Sequence, residues 1–97
     1  MFGIIGKIIT VPGGRDDLAA ILSGIGDMPG CLSYVVATVS DEPDTLWVTE
    51  VWDSAEAHTA SLSLPAVQEA IAAGGHLIAG FESRVETEPI SGILLSD

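Results

Sequence analysis

The segments of this chain that read as β-strands carry apolar side chains on both faces. In Phe2–Val11, Phe2, Ile4 and Ile8 point one way while Ile5, Ile9 and Val11 point the other. In Thr45–Asp53, Leu46, Val48 and Trp52 oppose Trp47 and Val51. An antiparallel sheet with helices on one side and water on the other alternates apolar with polar residues. These strands do not alternate, so their sheet needs two covers. The chain's own helices supply one, and a second sheet from a partner subunit is the simplest other. The alternative is shielding by the C-terminal tail.

Glycine and proline mark the element boundaries. Pro12-Gly13-Gly14 ends the first strand, and Leu18, Ile21, Leu22 and Ile25 then follow helical spacing, with Asp16 and Asp17 at the positive end of the helix. Gly24, Gly26, Pro29 and Gly30 close it. Cys31–Ser40 and Thr45–Asp53 form a predicted hairpin around the turn Asp41-Glu42-Pro43-Asp44. Asp53-Ser54 sets a capping residue before a helix bearing Ala57, Ala60, Ser61 and Leu64, and Pro65 breaks the run or restarts it as a second short helix bearing Val67, Ala70 and Ile71, which Gly74-Gly75 ends. Leu77–Thr87 reads as the last strand. The order βαββαβ predicts an α+β, ferredoxin-like fold: a four-stranded antiparallel sheet with helices on one face. Residues 1–97 read as a single domain, with a core over 1–88 and a tail over 89–97.

Composition narrows the function. The net charge of −11 repels phosphate backbones and anionic lipid, so neither nucleic acid nor a membrane is an expected partner. A 97-residue chain buries roughly 60–65% of its unfolded surface, and 47% hydrophobic residues exceed what one such core needs. That excess again points to a homodimer. Cys31 is the single cysteine, which fits a buried thiol in a reducing compartment. Lys7 interrupts the apolar N-terminus instead of preceding it, so this segment reads as a strand and not a signal peptide; the expected location is cytoplasmic. Gly24-Ile25-Gly26-Asp27-Met28-Pro29 follows a helix, which is wrong for a dinucleotide fingerprint. His58 and His76 lie far apart without a ligand cluster, so no metal site is expected.

The stretch Val48-Thr-Glu-Val-Trp-Asp-Ser54, continued by Ala55-Glu56-Ala57-His58, resembles the antibiotic biosynthesis monooxygenase (ABM) superfamily. So do Gly6–Gly13 leading into an amphipathic helix and Met28-Pro29-Gly30-Cys31 before the second strand. The resemblance spans about residues 2–88. It implies a dimeric α+β barrel with a pocket between each subunit's sheet and helices. Its members include quinone-forming oxygenases that use neither metal nor flavin, haem-degrading enzymes and many proteins of unassigned function. The expected activity is therefore cofactor-free oxidation, by O2, of a small phenolic, quinol or polyketide-like aromatic. A non-catalytic dimeric ligand-binding or structural protein of the same fold is the alternative. A non-redox isomerase or decarboxylase is a third option.

Oxygenation without a cofactor needs a base and a pocket that excludes water. His58 is the leading base because its ordinary pKa lies near neutrality; an exposed helical histidine is the plain alternative. Glu50 is the second candidate, on the same side of its strand as Trp52, unless it faces solvent or a partner. Trp52, Tyr34, Phe81 and Ser61 are candidate walls of a substrate site, or simply core. Arg84 either pairs with Glu50, Glu82 or Glu86, or steadies an anionic substrate. The chain holds no asparagine, the residue with which family oxygenases often hold a substrate oxygen. Ungapped matching puts Gly6, Ser61 and Ile71 where haem-degrading members carry Asn, Trp and His, which argues against haem degradation.

Overall fold

Short Gly- and Pro-containing connections divide the chain into β1 (Phe2–Thr10), α1 (Arg15–Ser23), β2 (Cys31–Val39), β3 (Glu42–Trp52), α2 (Ala55–Ser61), α3 (Pro65–Gly74), a 3-10 turn (Gly75–Leu77) and β4 (Ile78–Thr87). The structure is a computed structural model and describes residues 1–93; Leu94 and Leu95 of the predicted tail lie outside the described residues. The strands form one antiparallel sheet in the order β2-β3-β1-β4, the ferredoxin-like α+β arrangement that the element order predicts.

Local chemistry accounts for most boundaries. The Ser54 hydroxyl accepts the Ala57 N–H at 3.1 Å and caps α2, and Pro65 occupies the first turn of α3, where no N–H partner is missed. Gly30 adopts φ +82°, and a Cβ there would stand 2.6 Å from that of Ala57. Only glycine lets the loop before β2 pass this close to α2.

Three boundaries differ from those expected. The hairpin turn is Ser40-Asp41, and β3 begins at Glu42. Pro43 is tolerated inside the strand because β1 pairs with β3 only as far as Thr45, while pairing with β2 jumps from Leu46 to Glu42. The first helix stops at Ser23, so Ile25 lies beyond it. Leu77 belongs to the 3-10 turn and not to β4.

The core lies between the sheet's inner face and the helices. Ile8, Leu46 and Val48 from the sheet meet Leu18 of α1 and Leu77, and Leu18 and Leu46 are essentially sealed from solvent. On the opposite face, Ile5, Val85, Thr49 and Val35 align in one row across the four strands. Val35 and Val85 are each about half exposed, at 51% and 53%. Beside that row, Lys7 reaches Glu42 at 3.2 Å and Glu82 at 3.1 Å, with its ammonium 5.7 Å from the Trp47 ring centre.

Truncating Leu46 to alanine empties the best-sealed site and is expected to cost about 2–5 kcal/mol. Val35→Thr on the outer face should change the stability of an isolated subunit by less than about 0.5 kcal/mol. Urea unfolding of the two variants checks the contrast.

Candidate active site

The inner face of β3 reads Leu46, Val48, Glu50, Trp52, because side chains two apart share a face. Three of these are buried hydrophobics and one is a carboxylic acid. Across the ladder Glu50 is flanked by Tyr34 on β2 and Ile4 on β1. The turn after Trp52 folds α2 back over this end of the sheet, which brings His58 above Trp52 and Glu50. Phe2 at the start of β1 closes the other side of the imidazole: its ring centre is 5.7 Å from that of His58, and that of Trp52 is 5.4 Å away, nearly edge-on at 73°.

One carboxylate oxygen organises the site. The Trp52 indole N–H donates to Glu50 Oε1 at 3.0 Å, and His58 Nε2 lies 4.0 Å from the same oxygen. At 4.0 Å the Glu50–His58 pair is an electrostatic contact and not a hydrogen bond. Both side chains are largely covered, His58 at 19% and Glu50 at 16% exposure. Glu50 therefore faces the helices and not open solvent, and His58 is not an exposed helical residue.

A cavity of about 320 Å³ opens between sheet and helices at this point. Glu50, Trp52, His58, Tyr34, Ser61 and Phe81 all contribute to its wall, and aliphatic side chains of α1 and α3 complete it. The Ser61 hydroxyl donates to the His58 carbonyl at 2.6 Å, so its proton is engaged by the helix. Arg84 stands apart from this chamber, at an adjoining hollow of about 120 Å³. Its guanidinium pairs at 2.7 Å with Glu86, and not with Glu50 or Glu82. A wider cleft of about 560 Å³ runs along the loop before β2 and holds Asp27 and Cys31, but none of the paired acid–base groups.

Burial, followed by the nearby Glu50 charge and Cys31, pushes the Tyr34 hydroxyl up to about 12. Burial also raises the Cys31 thiol; a backbone hydrogen bond at Ser33 opposes this and the Glu50 charge adds to it. The thiol is thus poorly suited to nucleophilic work at neutral pH. His76 is exposed in the 3-10 turn, away from the cavity wall. Among the described residues no cluster of three or more His, Cys, Asp or Glu could hold a metal ion, and no helix is long and apolar enough to cross a membrane.

Sequence reasoning missed Phe2 as a neighbour of His58, although Phe2 shares the inward parity of Ile4. It also missed Met28 as cavity wall, since that residue lies in an irregular loop where periodicity carries no signal; Ile25, expected on the helix, lines the cavity from the same loop.

The fold and its mainly aliphatic cavity define a ferredoxin-like α+β protein with a pocket between sheet and helices. The family profile of the antibiotic biosynthesis monooxygenases matches residues 1–73, and the chain belongs to that family. A crystal structure from Chloroflexus aurantiacus, described as a candidate antibiotic biosynthesis monooxygenase, is similar at 56% identity over 94% of both chains, with a TM-score of 0.92. One from Deinococcus radiodurans, similarly described, shares 28% identity over 96% of both chains with a TM-score of 0.76. One from Bacteroides thetaiotaomicron shares only 15% identity, over 99% of this chain and 95% of the other, and at a TM-score of 0.83 shows the shared fold. No curated protein matches the chain.

Tyr34 is the single tyrosine of the chain, so near-ultraviolet absorbance reports its ionisation alone. Its midpoint is expected at about 12 instead of about 10, and Glu50→Gln should lower it. The native state keeps a proton that the unfolded chain loses. Stability is therefore unaffected below about pH 10 and falls from there through about pH 12; Tyr34→Phe should remove that component.

Proposed function

We propose that this protein is a cofactor-independent monooxygenase that oxidises a small phenolic or quinol-like aromatic with O2, and that it acts as a homodimer. The observation that carries the reading is the shared carboxylate: Glu50 Oε1, held by the Trp52 indole, faces His58 Nε2 inside an apolar chamber. A chamber of about 320 Å³ lies at the small end of ligand sites, which span roughly 300–1,000 Å³. It suits one or two fused rings lying along Trp52 and Tyr34.

In this mechanism neutral His58 removes a proton from the substrate, and the resulting anion supplies electrons to O2. At a ring carbon bearing two hydrogens in its keto form, one oxygen atom becomes the new carbonyl and the other leaves as water. Glu50 stabilises the imidazolium that forms beside it, and the Trp52 N–H keeps the carboxylate oxygen in place. The aliphatic wall keeps bulk water from the anion. The apolar row Ile5, Val35 and Val85 on the outer face supports a sheet-to-sheet dimer, with Lys7 and its two carboxylates at the side of the contact.

A second reading, a ligand-binding member of the family without turnover, is favoured by the absence of any asparagine to hold a substrate oxygen. Oxygen-electrode assays on hydroquinones and anthrones separate the two. Uptake by the wild type that falls about 10²–10⁴-fold in His58→Ala, and less in Glu50→Gln, supports the oxygenase. No uptake on any of these substrates removes it. Sedimentation at micromolar concentration should report a dimer, and Val35→Glu with Val85→Glu should shift it to a monomer.

A further inference from the structure

The inner face of the central strand β1 contains a gap. Ile4 and Ile8 are buried there, and Gly6 stands between them without a side chain. A Cβ at Gly6 would meet nothing nearer than the Ser83 carbonyl oxygen at 3.9 Å. No neighbouring side chain fills the space, and what remains is the hollow of about 120 Å³. An unfilled site in a close-packed interior loses dispersion contacts. Glycine within a strand is itself destabilising and often marks a close approach to a ligand. The hollow shares Leu22, Tyr34, Glu50 and Phe81 with the main chamber, so the two spaces adjoin.

Across the ladder from Gly6 stands Arg84. It is the cation of this hollow: Lys7 is bound to its carboxylates on the other face of the sheet, and Arg15 pairs with Asp16 at the start of α1. The pair of Arg84 with Glu86 is exposed on both sides, at 48% and 58%, and such pairs contribute little. Only one guanidinium nitrogen is engaged in it. The other donors keep the planar fork that grips a carboxylate through two hydrogen bonds.

We propose that the Gly6 hollow and Arg84 form a subsite for a short carboxylate-bearing side chain on the aromatic ligand, a deepening that rests on the reading of the main chamber as an aromatic site. Size limits the occupant: benzene fills a cavity of about 150 Å³, so this hollow takes a chain of a few atoms and not another ring. Charge sets the orientation. Glu50 borders both spaces and Glu86 already sits on Arg84, so the acid group takes the Arg84 fork by displacing that exposed contact, which leaves the phenolic ring in the main chamber with His58.

Titration calorimetry with homogentisate (a hydroquinone bearing an acetate side chain), its methyl ester and hydroquinone tests this. The wild type should bind the acid about tenfold more tightly than the ester, as one charge-assisted contact allows. Arg84→Gln should abolish that preference. Gly6→Val, whose β-branched side chain suits a strand, should weaken acid and ester about tenfold or more and leave hydroquinone bound. Near-ultraviolet circular dichroism checks that both variants keep the native fold. Equal binding of acid and ester by the wild type, or a preference that persists in Arg84→Gln, overturns the subsite. Oxygen uptake on hydroquinone together with no acid preference would sink the subsite alone. An Arg84-dependent preference without any uptake would keep the subsite and remove the oxygenase. Binding of none of the three compounds overturns both.

Discussion

A carboxylate on the inner face of an apolar sheet is the constraint around which this molecule is arranged. Burying a charge without partners is costly, and Glu50 sits in a row with Leu46, Val48 and Trp52. The indole N–H two residues along the same strand supplies one hydrogen bond, and the imidazole of His58 supplies a group that can become positive. Of the two, His58 reaches Glu50 only because α2 folds back directly after β3. The Ser54 cap, and the Gly30 loop that passes beneath α2, are therefore part of the site's chemistry as well as its scaffold. A structural core would be served better by leucine at this position, since apolar residues of similar volume commonly replace buried ionic groups without loss. That an acid stands there, beside a cavity, is the reason to assign it work.

The same carboxylate explains the state of its neighbours. Tyr34 lies across the ladder from Glu50 and is held neutral by burial first and that negative charge second. A neutral phenol can donate a hydrogen bond to a ligand oxygen, a role open to few groups on a wall otherwise lined by hydrocarbon. Cys31 is drawn in the same direction, so its thiol holds its proton at neutral pH.

Element types, their order and the two apolar sheet faces were legible in the sequence because they depend on period and punctuation, which are local. Ser54 and Pro65 set helix starts by chemistry that three or four residues contain. The inward direction of Glu50 was half legible: parity tied it to Trp52, but an acid on that face reads equally well as a sign of an exposed one. The Phe2–His58 contact joins chain segments more than fifty residues apart, and the loop side chains Ile25 and Met28 turn inward only because α1 ends early. The hairpin turn was misplaced because Pro43 looks like turn chemistry. What admits it to β3 is the point at which β1 ceases to pair, a property of the neighbouring strand. The Gly6 hollow was illegible for a similar reason: glycine in a strand becomes a cavity only if no neighbour moves in.

The proposed acid-binding subsite looks at odds with an acidic protein, yet range resolves the conflict. At physiological ionic strength, exposed charges are screened over about 8 Å, so the net charge of −11 acts mainly on approach. It slows the encounter with anions and governs affinity much less. Within the cavity the near groups decide: Glu50 borders both the main chamber and the hollow, whereas Arg84 borders the hollow alone. A neutral aromatic feels little torque from that pair, whereas one bearing an acid at the correct distance is aligned by it. In the proposed oxygenase reaction, where the substrate is its own reductant, alignment would matter most, because the carbon that loses its proton would have to lie beside His58. Charge placement around the cavity would then contribute to rate through positioning more than through tight binding.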